Sequence, residues 1–152
     1  MIEAIERTLE LEISPAKVWR ALTDPEERVA WDERVLALVD LPEEYPVSGQ
    51  HLRWRYRLGS VQLIMHERPI EVRDEERLRA NLQIGSMRYE QTYGLQAEMV
   101  DGAATRLAMR VVASNSIPLV GSEIDRFDVR EMAARHVDVT LRSLQKWCVH
   151  HP

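Results

Sequence analysis

The sequence predicts an α+β domain in which a curved antiparallel sheet of about seven strands wraps around one long C-terminal helix, and three observations predict it. Period-two alternation opens the chain, from Glu3 to Ile13. Six further strand-like runs lie between Arg34 and Ser114, separated by tight-turn residues. After Pro118 the apolar spacing changes to threes and fours and keeps that period to Val149.

In the first strand Ile5, Leu9, Leu11 and Ile13 share a phase with Arg7 and alternate with Glu6, Thr8, Glu10 and Glu12, the pattern of a strand with one wet face. Ser14-Pro15 then supplies a helix cap and a first-turn proline, and Val18, Trp19 and Leu22 form the apolar side of a short helix. Asp24-Pro25 ends that helix and starts a second, which carries Val29 and Trp31. Strands are expected at Arg34 to Leu41, Gln50 to Leu58, Val61 to Val72, Leu78 to Ile84, Met87 to Met99 and Thr105 to Ser114. Short strands joined by tight turns make an antiparallel meander. Pro69 falls inside one of them and predicts a bend or bulge there. In the last segment Ile124, Phe127, Val129, Met132, Ala133, Val137, Leu141, Leu144 and Trp147 mark one face of a helix from about Ser122 to Val149. At 1.5 Å per residue that rod is about 40 Å long, and it needs most of the sheet to cover its apolar stripe.

The 152 residues fit one domain with one core. Hydrophobic residues are 45 % and charged residues 30 %, as in a globular protein. The net charge of −5 argues against a general nucleic-acid binder. No apolar run is long enough to span a bilayer, and Met1 to Glu6 has no secretory signature, so a cytoplasmic protein is expected. Cys148 is the single cysteine, which excludes an intrachain disulfide and a thiolate-rich metal cage. Of 20 cations only Lys17 and Lys146 are lysines; the arginine bias suits anion recognition or reflects base composition.

The element order β-α-α-β6-α resembles the START/Bet v 1-like (SRPBCC) superfamily, which includes polyketide cyclases and chaperone activators. Leu11 to Glu26 is similar to that superfamily's opening signature: a Ser14-Pro15 turn, the pair Val18-Trp19 and the stop Thr23-Asp24-Pro25. Trp31 resembles the tryptophan that follows in the second helix. The resemblance implies a helix-grip fold with a cavity between sheet and final helix. It transfers no catalytic residue, because the matched positions are structural.

Strand alternation then sorts the interior. Leu52, Trp54, Tyr56 and Leu58 are expected on the inner face, with Arg53, Arg55 and Arg57 outside, which undoes the stacking surface that the run suggests on paper. Met87, Tyr89, Gln91, Tyr93 and Leu95 give a second inner face, and Leu107, Met109 and Val111 a third. Apolar walls with a few polar handles describe a small-molecule site, and an ordinary packed core with tyrosines at its rim is the alternative. The expected ligand-binding residues are Trp54, Tyr56, Met65, Tyr89, Gln91, Tyr93, Met109, Met132 and His136. Tyr89, Tyr93 and His136 are the acid–base candidates. Glu67, Arg88 and Glu90 are expected inside only if the strand phase slips near Pro69 or Gly85.

No cofactor or metal is expected. Cys148, His150 and His151 are ligand types at a terminus with no second cluster, and His66-Glu67 lacks the second histidine of a zinc-protease helix. Three functions fit: a carrier of a hydrophobic small molecule (lipid, aromatic or polyketide-like), a cyclase, aromatase or dehydratase using the same cavity without a covalent nucleophile, and a chaperone-interacting protein using its outer arginines. A homodimer is left open.

Overall fold

The alternation of the sequence becomes a seven-stranded antiparallel sheet in the computed structural model, which describes residues 2–85, 87–99, 102–115 and 122–152. The strands are β1 (Ile2–Leu11), β2 (Val35–Leu38), β3 (Leu52–Leu58), β4 (Val61–Arg73), β5 (Arg77–Ile84), β6 (Met87–Glu98) and β7 (Ala104–Asn115). Their order is β1-β7-β6-β5-β4-β3-β2, so the chain's first strand closes on its last, with Ile5 opposite Val111. The helices are α1 (Pro15–Thr23), α2 (Pro25–Trp31) and α3 (Ser122–His150).

Local chemistry explains each boundary. The Ser14 hydroxyl accepts from the Lys17 amide at 3.4 Å, ahead of Pro15 at the first turn of α1. Asp24 serves two helices at once. Its amide donates to the Arg20 carbonyl at 2.8 Å, closing α1, and its carboxylate accepts from the Glu26 amide at 2.9 Å, opening α2. Pro69 carries no N–H for the ladder, and the β4–β5 register shifts between Pro69 and Glu71, at the bend the sequence predicts. The β3–β4 turn runs through Gly59 at φ +59, a conformation that favours glycine.

Several strand limits fall short of expectation: β3 starts at Leu52 rather than Gln50 and β6 ends at Glu98 rather than Met99, and two others have a visible local cause. β2 ends at Leu38 rather than Leu41 because the Asp40 carboxylate accepts the Arg53 amide at 2.8 Å in place of a ladder carbonyl. β1 ends at Leu11, and the Ile13 carbonyl is taken by the Thr105 hydroxyl at 2.8 Å.

α3 runs 29 residues and packs chiefly on β1 and β7. Ala133, Val137, Leu141, Leu144 and Cys148 are buried at intervals of three and four, with His136 and Thr140 beside them on the same face. The expected stripe residues Ile124, Phe127 and Val129 lie outside the described side chains. Arg7, in the apolar phase of β1, reaches Asp138 of α3 at 3.6 Å. Burial pushes the Cys148 thiol up to about 11, which keeps it a small apolar side chain, while His150 and His151 are exposed.

Candidate binding site

The interior has two regions of different chemistry. The larger is a packed core threaded by a chain of polar groups. On β3, Leu52, Trp54 and Tyr56 point inward and Arg53 and Arg55 outward, as alternation predicts, while Arg57, exposed in the same outer phase, lies near the strand's end and borders the cavity described below. The Trp54 indole donates to Glu67 at 2.7 Å, and the Tyr45 hydroxyl meets both oxygens of the same carboxylate at 2.8 and 2.9 Å. The Arg28 guanidinium lies 5.4 Å from the Trp31 ring centre and 5.8 Å from that of Trp54, within cation–π range. Its Nε is 3.6 Å from Asp32, one helical turn on.

Asp32 also receives the Arg34 fork, Nε at 3.0 Å and Nη2 at 3.1 Å. Arg34 then donates to the Thr140 hydroxyl at 2.6 Å, and its Nη1 lies 3.1 Å from His136 Nδ1. His136 Nε2 is 2.6 Å from Gln91 Oε1. A guanidinium only donates, so Nδ1 accepts and Nε2 carries the proton that it gives to Gln91. Both nitrogens of His136 are therefore engaged within the protein.

These groups set one another's charge. Burial alone would raise Asp32, but the charges of Arg28 and Arg34 and the hydrogen bonds from Arg34 outweigh it and hold the carboxyl below its usual range. Burial raises Glu67, and the Trp54 bond, the Arg28 charge and the Tyr45 bond offset only part of that. Burial, with the nearby Arg34 charge, lowers His136 to about 3, so it is a neutral imidazole. Burial lifts Tyr89 and Tyr93 to about 12 each, which keeps both as phenols.

The second region is a cavity of about 210 Å³ between the end of the sheet and α3. Tyr56, Ile84, Met87, Tyr89, Met132 and Val139 supply its aromatic and apolar walls, and Arg34 and His136 give it polar groups. The Tyr89 ring stacks on His136, 5.7 Å between centres and 10° between planes. Neither the Tyr56 nor the Tyr89 hydroxyl is hydrogen-bonded to a described residue. A larger hollow of about 530 Å³ includes outward-facing His66, Arg68, Asn81, Gln83, Arg88 and Glu90. Leu82, Tyr89 and Val112 complete its lining, so it shares Tyr89 with the smaller cavity but has none of the α3 residues that border that one.

Alternation places side chains on a face but does not say which part of that face stays hollow. Of the nine expected ligand-binding residues, Tyr56, Tyr89, Met132 and His136 line the cavity. Trp54, Met65, Gln91, Tyr93 and Met109 lie in the packed region instead. Among the acid–base candidates, Tyr89 borders the cavity, while the buried Tyr93 hydroxyl has no hydrogen-bond partner among the described residues. Glu67 enters the interior with no slip of phase, since it shares the face of Met65 two residues earlier. Arg88 stays exposed, and Glu90 turns outward to Arg79 at 3.1 Å. Arg28, Asp32, Arg34, Tyr45 and Thr140 were not expected as interior polar groups. The one local signal was the i, i+4 spacing of Arg28 and Asp32 around Trp31.

A family profile described as polyketide cyclase / dehydrase and lipid transport matches residues 3–147. The chain belongs to that family. Solved structures agree on the fold. A START superfamily protein from Mycobacterium smegmatis is 12 % identical with a TM-score of 0.78, over 98 % of this chain and 99 % of that one. The ZhuI aromatase/cyclase from Streptomyces sp. R1128 is 13 % identical with a TM-score of 0.74, covering 97 % and 94 %. Ara h 8.0201 is 11 % identical with a TM-score of 0.72, covering 99 % and 100 %. No curated protein matches the chain by sequence. As a member of the polyketide cyclase / dehydrase and lipid transport family, the chain has the START/Bet v 1-like helix-grip fold. Among the described residues no helix is long and apolar enough to cross a membrane.

Proposed function

We propose that this domain binds a small, largely apolar molecule with one or two rings in the cavity between Tyr56, Tyr89 and α3. The carrying observation is an aromatic-walled hollow of about 210 Å³ beside a preorganised Arg34–His136 pair. An engineered protein cavity of about 150 Å³ holds benzene. Drug-sized ligands occupy about 300–1,000 Å³. The size therefore favours a small aromatic over the lipid or long polyketide-like chain that the sequence left open. Family membership supports an internal small-molecule site of this kind.

Binding is favoured over proton-transfer catalysis by the state of His136. Its lone pair is taken by Arg34 and its N–H by Gln91, so the imidazole orients its neighbours instead of exchanging protons with a ligand. Tyr89, as a phenol lifted to about 12, offers a donor and not a base.

Isothermal titration with 2-naphthol tests the proposal. Saturable binding is expected, and Met132→Trp, which fills the hollow from α3, is expected to weaken it about tenfold or more, about 1.4 kcal/mol, while thermal unfolding confirms an intact fold. No binding of 2-naphthol to the wild-type protein, or equal binding to a folded Met132→Trp variant, would remove the cavity as the site.

A further inference from the structure

We infer that the natural occupant of this cavity is an anion, a small ring-bearing carboxylate whose charge is held at the mouth by Arg57 with Arg34. This rests on the cavity reading above and names its substrate class.

Three of the described residues lining the cavity are arginines, Arg34, Arg57 and Arg135, and none is aspartate or glutamate. The chain as a whole carries −5, so three cations without a carboxylate at one hollow reflect placement and not bulk charge. The three differ in what they already hold. Arg34 shares Asp32 with Arg28, and four of its five N–H groups are engaged, two by Asp32, one by Thr140 and one by His136. The remaining N–H is on Nη1, the nitrogen beside the cavity-lining His136. Arg135 meets Glu131 at 3.6 Å across an exposed helix turn, a pairing that water screens.

Arg57 is the least compensated of the three. Its only side-chain hydrogen bond among the described residues is to the Glu33 carbonyl at 3.4 Å, and it makes no ion pair among them. Its own amide donates to the Arg34 carbonyl at 2.7 Å, which ties the two arginines' backbones together at the β2–β3 edge. A carboxylate at the mouth would find a free fork on Arg57, the geometry that arginine matches with two parallel bonds. The ring of the same molecule would lie among Tyr56, Tyr89, Ile84 and Met132. An aromatic with no charge satisfies the walls and leaves that fork to water.

The test compares two ligands of one shape, 2-naphthoate and 2-naphthamide, by isothermal titration against the full chain. The expected result is about tenfold tighter binding of the naphthoate, an advantage that shrinks with added salt and disappears in Arg57→Glu. Arg57→Gln is expected to fall between. Equal affinities for the two ligands would overturn the anion inference and leave the cavity reading standing. An advantage that survives in Arg57→Glu would overturn the assignment to Arg57. If neither ligand binds, the cavity reading fails and this inference fails with it.

Discussion

Replacing Asp32 with alanine is expected to cost about 3–5 kcal/mol of folding stability, the range for breaking a buried ion pair by removing one partner. Asp32 is only 1 % exposed, and it faces two guanidiniums, Arg28 and Arg34, with side-chain exposures of 6 % and 18 %. Taking the carboxylate away leaves both cations with a reduced counter-charge in a low-dielectric interior. Glu67 acts on Arg28 as a charge, but its hydrogen bonds go to Trp54 and Tyr45. Small domains have about 5–15 kcal/mol in total, so the variant would be marginal. Asp32→Asn is the milder companion, because an amide oxygen still accepts from the Arg34 fork. Arg28→Met leaves Asp32 paired with Arg34, and adding it to Asp32→Asn should recover part of the loss through the coupling between the two sites. Urea midpoints for the series would measure this, and a cost below about 1 kcal/mol for Asp32→Ala would show that the pair is not a buried charge cluster.

Acidification is expected to destabilise the protein from about pH 6.5 downward, through His136. In the unfolded chain this histidine takes a proton near its ordinary 6.5, whereas the folded protein resists until about 3. Within that window the unfolded state binds more protons, so folding stability rises with pH and falls as acid is added. The slope approaches about 1.4 kcal/mol per pH unit, on the order of 5 kcal/mol across the window. Protonation would remove the acceptor that Arg34 uses and set a cation beside it. Asp32, whose folded value is depressed, adds a loss of the same sign below its ordinary 3.8. Glu67, whose folded value is raised, has the opposite sign and offsets part of it. Subtraction isolates the histidine. The stability advantage of wild type over His136→Gln should shrink as pH falls from 7 to 5, and a constant advantage would show that His136 is not the titrating group.

Much of the fold was legible because its signals are local. The Ser14-Pro15 and Asp24-Pro25 pairs set helix ends by hydrogen bonds within three residues, and Pro69 disturbs the ladder wherever that strand pairs. The inner face of β3 followed from pleat geometry alone. The candidate site was legible only in part. Of the expected ligand-binding residues, Tyr56, Tyr89, Met132 and His136 border a cavity, whereas Trp54, Met65, Gln91, Tyr93 and Met109 are packed in the core. The difference lies in what comes to meet them. Arg28 from α2 and Tyr45 from the loop before β3 lie against the Trp54 ring, and Arg28 is close enough to Tyr93 for the two to act on each other as charges.

The sequence by itself determined the α+β class, the strand phases, the helix caps and the resemblance that family membership later confirmed. Each depends on residues a few positions apart, or on a period that survives without knowing the partner. Tertiary structure alone decided that Glu67, Asp32, Arg34 and His136 form one polar chain, and that the hollow is confined to one end of the sheet. Those facts join positions up to 106 residues apart, such as Arg34 and Thr140. Burial charge balance and leftover volume exist only once distant side chains share the same space, so neither can be read from spacing along the chain.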